Sequence, residues 1–140
     1  MQRHSALRKL SSEHHLGLVI ARRAANAATG DGDPAQTEAW AEICLRFVQE
    51  LEPHFRTEET GLLPALAEAG EDALVARTLR EHAAMRRMIA QADSARLSEF
   101  AELLRAHIRF EEQELFETAQ RRLDPAVLSG LGEGAGAGAD

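Results

Sequence analysis

Residues 97–116, LSEFAELLRAHIRFEEQELF, decide how the chain folds. Taken at alternating steps of three and four they give Leu97, Phe100, Leu104, His107, Glu111 and Leu115. That is one face of an amphipathic helix, with a histidine and a glutamate one turn apart in an otherwise apolar seam. The same count from Trp40 gives Ile43, Phe47, Leu51, His54, Glu58 and Leu62, again with His-x-x-x-Glu among core hydrophobes. Two further segments carry one in-phase histidine each: Val75, Thr78, His82, Met85, Ile89, Ala92, and Leu7, Leu10, His14, Leu18, Ala21, Ala25. Periodicity favours His14, and His15, only one step of about 100° away, remains the alternative if the lead-in with Leu7 and Leu10 is not continuous with the helix.

Strand signals are nearly absent, and Ala, Leu, Glu, Arg and Gln dominate four stretches with helical period. Helix one is expected from Ser11 or Ser12, either of which can cap it, to about Thr29, with Leu7 and Leu10 as a lead-in and Gly30 to Pro34 as its stop. Helix two is expected from about Pro34 to Gly61, bent at Pro53 and ended by Pro64 with a short remainder to Gly70. Helix three fits Glu71 to about Asp93. Helix four fits about Ser94 to Arg122, with Asp124-Pro125 marking its end. Short connections make successive helices antiparallel neighbours, which predicts an all-α, up-down-up-down antiparallel four-helix bundle. It spans residues 1–125, and a flexible Gly/Ala-rich tail spans 126–140. There is no internal repeat of solenoid type.

A chain of 140 residues supports one core and one domain. Its net charge of -7 argues against phosphate backbones and anionic lipid as partners. No apolar run is long enough to span a bilayer, and the N-terminus leads into a mixed segment rather than a signal-peptide core, so a cytoplasmic protein is expected. Cys44 is the only cysteine, which excludes an internal disulfide, a zinc ribbon and a cysteine-ligated iron–sulfur cluster. With no tyrosine, phenolate ligands and tyrosyl radicals are excluded as well.

Two carboxylates at similar depth in one small core would each cost several kcal/mol and repel one another. Something positive must lie between them. His54 with Glu58, and His107 with Glu111, each stand about 6 Å apart in rise on one face and can aim at a common centre. Four neutral imidazoles and two carboxylates suit two first-row metal ions. Two ferrous ions bring four positive charges, which two glutamates and bound hydroxide or oxide largely neutralise. Singly, a buried histidine is more often a hydrogen-bonded core residue, but six such groups in phase would each need a separate partner. By default Glu59, Glu81, Glu112 and Glu114 are solvated helix faces, with Glu81 beside His82 open to a supporting or extra ligand role. His4 reads as terminal and exposed, and Phe47, Phe55, Phe110 and Phe116 read as packing residues.

The pattern resembles the hemerythrin-like family of cation-binding four-helix bundles over roughly residues 4 to 120. The carriers are Glu13-His14-His15, His54-Phe55-Arg56-Thr57-Glu58-Glu59 followed by Leu62-Leu63-Pro64, Glu81-His82, and His107-Ile108-Arg109-Phe110-Glu111-Glu112 followed by Leu115-Phe116. The resemblance implies a non-heme di-iron centre, oxo- or hydroxo-bridged, with iron ahead of zinc or manganese. Its ligands would be His54, Glu58, His82, His107, Glu111 and one of His14 and His15. The chain departs from the oxygen-carrying members, which place a second histidine one turn after the helix-three ligand, where Arg86 stands here. It also has His-x-x-x-Glu on helix four instead of a histidine and a more distant aspartate. Both departures point away from reversible oxygen carriage and towards members linked to nitrosative stress, iron–sulfur repair and oxygen or iron sensing. The implied ligands are oxygen, nitric oxide or peroxide, and with no cysteine pair in the chain electrons would come from an external donor. The alternatives are a sensing or metal-binding module that acts through a protein partner without turnover, and a structural bundle stabilised by zinc.

Overall fold

The computed structural model describes residues 3–29 and 34–131, all-helical in its regular structure with no strand among them. Five continuous helical stretches follow one another: α1 (Ser5–Ala27), α2 (residues 34–68), α3 (Asp72–Gln91), α4 (residues 97–122) and α5 (Pro125–Ser129). A 3₁₀ turn, Ser94–Arg96, leads into α4.

α1 begins earlier than its serines suggest. The His4 ring accepts a hydrogen bond from the Ala6 N–H at 3.0 Å, and the His4 carbonyl accepts from Arg8 at 2.9 Å. His4 is thus a half-buried cap rather than an exposed terminal residue, and Ser11 and Ser12 lie inside the helix. Burial of Leu7 and Leu10 holds this extra turn. The buried stripe of α1 then runs Leu7, Leu10, His14, Gly17, Ala21, Ala24, while Leu18 is exposed and Ala25 only partly buried. Gly17 explains the shift: a Cβ there would stand 2.8 Å from Ile108 Cδ1, so α1 is drawn against α4 along its glycine. The expected stop at Gly30 to Asp33 lies outside the described residues.

α2 passes through both prolines without ending. Just before each one the helix widens by one residue: the Glu52 N–H bonds Phe47 O, and the Leu63 N–H bonds Glu58 O. These i→i+5 turns absorb the donor that Pro53 and Pro64 lack. Pro64 is therefore no terminator. The helix stops at Glu68, beside Gly70 in the left-handed region at φ 89°. α4 has the same widening over Glu111–Leu115 with no proline, closed by the Phe116 N–H on Glu111 O. Glu58 and Glu111 each open one of these turns, which places both beside locally relaxed backbone.

The chain beyond residue 125, expected as a flexible tail, is helical over α5, where the Asp124 carbonyl accepts from Val127 and Leu128. Burial decides this: Leu128 and Leu131 are apolar anchors, and Leu131 packs so closely on Gly61 that a Cβ there would stand 3.0 Å from its Cδ2. Residues 132–140 lie outside the described residues.

Two apolar clusters form the core. One contains Ile20, Trp40, Ile43, Phe47, Leu51, Phe55, Met85, Phe100 and Leu104. The other contains Leu7, Leu10, Leu62, Leu66, Leu115, Phe116, Leu128 and Leu131. His14, His54, Glu58 and Glu111 fall along their helices between members of the two, and His82 and His107 join them in one polar layer. On α3, Thr78, His82, Met85 and Met88 are buried, Val75 and Ile89 only partly so, and Ala92 is an exposed left-handed cap at φ 48°. No helix among the described residues is long and apolar enough to cross a membrane.

Candidate metal centre

The layer is built by one histidine from each of α1 to α4 and one glutamate from each of α2 and α4. His14, His54, Glu58, His82, His107 and Glu111 are all buried, both carboxylates completely. Every histidine turns Nε2 inward. His54 Nε2 lies 3.1 Å from Glu58 Oε2, and His82 Nε2 lies 3.0 Å from Glu58 Oε1. On the other carboxylate, His107 Nε2 lies 3.0 Å from Glu111 Oε2 and His14 Nε2 lies 2.7 Å from Glu111 Oε1. The donors form two overlapping sets, His14, His54, Glu58, Glu111 and Glu58, His82, His107, Glu111, which share both carboxylates.

Of these approaches only that of His14 to Glu111 is a hydrogen bond. Of the described residues' eight buried side-chain polar atoms without a hydrogen-bond partner, six belong to this layer: the Nε2 atoms of His54, His82 and His107, both oxygens of Glu58, and Glu111 Oε2. They stand near one another at the wrong angles to bond. Donors about 2.1 Å from a common ion stand roughly 3 Å from each other, which is the spacing found. Buried polar groups are ordinarily paired, so six orphans converging on one space fit a cation between them.

The outer ring nitrogens are fully paired, each to a glutamate on another helix. His54 Nδ1 meets Glu13 at 2.8 Å, while His14 meets Glu112, His82 meets Glu59 and His107 meets Glu81, each at 2.7 Å. The order is cyclic: α1 leans on α4, α2 on α1, α3 on α2 and α4 on α3. A carboxylate on Nδ1 fixes that nitrogen as the donor and leaves the Nε2 lone pair facing inward, the usual arrangement behind a metal-bound imidazole. Glu59, Glu81 and Glu112 are therefore not simply solvated faces, and Glu81 supports His107 rather than His82. Only Glu114 keeps the expected exposed role, with Arg77 at 3.6 Å. A sequence signal did exist: each of the four outer glutamates is the chain neighbour of an inward residue, as in Glu13-His14, Glu58-Glu59, Glu81-His82 and Glu111-Glu112.

His15 is exposed and in neither donor set, so His14 is the residue α1 brings to the layer. Arg86 binds Glu52 and Glu59 and presents no donor to the centre.

Electrostatics give the layer a second character when no metal is bound. Burial opposes a charged imidazole, but the carboxylates of Glu111, Glu81 and Glu58 overcome it and push His107 up to about 10. His82 rises to about 9 against the same burial, through Glu111 and Glu58. Glu111 is held well below the usual carboxylate range because the surrounding histidines outweigh its complete desolvation. The metal-free layer thus holds protons where a cation would sit.

A model of the hemerythrin HHE cation-binding domain matches residues 5–119. The chain belongs to that family. The match takes in all six buried residues of the layer and their four outer glutamates, and together with the orphaned donors it makes this hemerythrin HHE domain a metal-binding protein. No match to the chain was found among curated proteins or solved structures.

Proposed function

We propose that this HHE domain holds two iron ions, one in each donor set with Glu58 and Glu111 between them, and binds or reacts with oxygen, nitric oxide or peroxide. The role would lie in oxidative or nitrosative stress or iron–sulfur repair, in the cytoplasm, with electrons from an external donor. The observation that carries this reading is the sharing of both carboxylates by two overlapping four-donor sets. Four imidazoles and two shared carboxylates divide into two sets that each suit one divalent ion, and bound hydroxide or oxide would neutralise the charge that the two glutamates do not. In the fold that accompanies this reading, α1 to α4 run up-down-up-down as an antiparallel four-helix bundle with the layer across its middle.

When bound, an iron pair supplies electrons and open coordination positions. The protein's part is to orient and to exclude. Glu13, Glu59, Glu81 and Glu112 hold the four imidazoles in one tautomer. Phe55, Phe110 and Phe116 set apolar surface against the histidine rings, which admits small neutral gases and keeps bulk water out. Arg86 supplies no imidazole, so the protein offers few donors per ion and leaves positions for exogenous ligands.

Metal analysis and optical spectra of protein purified aerobically and anaerobically test the reading. About two irons per chain are expected, with near-ultraviolet absorption that bleaches on reduction. Protein that takes up no iron under anaerobic reconstitution refutes it, and one zinc per chain would favour the structural bundle.

A further inference from the structure

α1 and α3 differ from α2 and α4 in how they hold their histidine. α2 and α4 each carry a second inward residue, Glu58 or Glu111, one turn after His54 or His107. α1 and α3 have only His14 and His82. Those two rings are the ones stacked flat on a phenylalanine that an arginine links to the supporting glutamate.

Around His82, Arg86 grips Glu59 with two prongs, Nη1 to Oε2 at 2.8 Å and Nη2 to Oε1 at 3.1 Å, and its Nε bonds Glu52 at 2.5 Å. The same guanidinium lies 5.5 Å from the Phe55 ring centre, and Phe55 stacks on His82 at 3.8 Å and 10°. Glu59 fixes the edge of His82 and Phe55 its face, and Arg86 holds both. Around His14 the arrangement recurs with residues from other places in the chain. Arg3 bonds Glu112 Oε1 at 2.7 Å and the Glu112 carbonyl at 3.1 Å, with Ser11 and Glu117 as further acceptors. Its guanidinium lies 5.9 Å from Phe116, which stacks on His14 at 5.3 Å and 4°.

His107 has all three partners in a tilted arrangement, and His54 lacks the arginine. Arg77 reaches Glu81 through one bond at 3.1 Å, and Phe110, beneath it, is tilted 47° from His107 at 6.4 Å. Among the described residues no arginine pairs with Glu13 behind His54.

We propose that Arg3 and Arg86 are a matched pair of positioning residues that lock His14 and His82 in the orientation the metal requires. They do on α1 and α3 what a second inward ligand does on α2 and α4. Only a planar fork that also lies on an aromatic face can serve the carboxylate and the phenylalanine at once, which is why arginine and not lysine stands at both places. The proposal rests on the metal-binding reading. Arg3 lies outside the residues matched by the family model.

The test uses the full chain with zinc as a diamagnetic probe, measured by competition with a chelator, and nuclear magnetic resonance of the imidazole nitrogens. Arg3→Gln and Arg86→Gln should each bind zinc roughly tenfold more weakly, the lower end of the range for losing support behind a ligand. Arg23→Gln, which removes a surface pair with Glu42, should not change binding. In Arg86→Gln the Nδ1–H signal of His82 should broaden while that of His54 stays sharp, and in Arg3→Gln the same should hold for His14. Arg86→Lys and Arg3→Lys, milder changes that preserve the charge, should restore only part of the affinity. Unchanged affinity and unchanged imidazole signals overturn the proposal, and so does equal broadening of all four rings, which would mean general loosening. Wild-type protein that binds no metal removes the metal reading instead, and the imidazole signals of that metal-free protein still decide whether the arginines hold these two rings.

Discussion

The polar layer and the two apolar clusters beside it are made by the same helices in the same helical phase, yet they solve burial in opposite ways. In the clusters each side chain is satisfied by neighbours of its own kind: Phe47 meets Phe55 edge-on at 5.6 Å, and Trp40 packs on Phe100 at 5.7 Å. In the layer, neighbours of opposite character meet at the wrong angles and leave six polar atoms without partners. Apart from the unpaired indole nitrogen of Trp40, the clusters are complete as protein. The layer is complete only with something that is not protein, and that incompleteness is where function resides.

The largest test of this contrast is Glu111→Ala. Glu111 stands within 4 Å of the Nε2 atoms of all four histidines, so its loss should abolish loading of both donor sets. Glu112→Ala removes only the support behind His14 and should weaken binding about 10- to 100-fold without abolishing it. Metal counted per chain after reconstitution separates the two, and equal losses would mean that the layer does not act as a shared centre.

A substitution in the clusters should show the reverse pattern. Phe100 is completely buried, and Phe100→Ala should cost about 3–5 kcal/mol of stability. Urea unfolding should show that cost with and without metal, while the metal count per chain stays at the wild-type value. A change in the count would mean that cluster and layer are not separable.

Proton exchange sharpens the contrast next. In the metal-free protein His82 is raised to about 9 and His107 to about 10. A raised histidine contributes stability that is complete below its unfolded value near 6.5 and disappears as pH rises through the folded value. The metal-free protein should therefore lose stability from about pH 6.5 up to 9–10. Metal must displace those protons, so affinity should rise by roughly tenfold per pH unit for each proton released over that window. Calorimetry in buffers of different ionisation enthalpy counts the protons, and uptake with no release would contradict a protonated layer.

Much of this division is readable in the sequence. Gly, Pro and Asp breaks mark the ends of the longer helices, and strict three-and-four spacing puts His54, Glu58, His107 and Glu111 among hydrophobes. The wide turns escape such reading because one extra residue in a helix leaves no compositional trace. Pro53 and Pro64 point to a break when in fact a widening absorbs each. The outer glutamates escape for a related reason. Each sits next to an inward residue, about 100° round the helix, where a single helix presents it to solvent. Only the approach of another helix's histidine makes it a partner. Arg3 and α5 escape because their roles depend on what the far end of the chain brings beside them.

The smallest expected effect separates neighbours. His14 and His15 are adjacent and chemically identical, and periodicity favours His14 without removing His15. The structure places His14 in the layer, bonded to Glu111 and Glu112, and leaves His15 exposed. His14→Ala removes one donor from the set made with His54 and leaves Glu112 paired with Arg3, so metal binding should fall at least tenfold. His15→Ala removes a ring that supports nothing in the layer, and both metal content and stability should stay within about 0.5 kcal/mol of wild type, as for surface changes away from special features. If His15→Ala lost metal as His14→Ala does, α1 would have to rotate by about 100° in the loaded protein. That rotation would pull Gly17 from Ile108 and bring the exposed Leu18 inward, and Leu18→Glu would then be strongly destabilising. With α1 placed as described, Leu18→Glu should be nearly neutral, so measuring its stability with metal bound decides the question independently of the histidines.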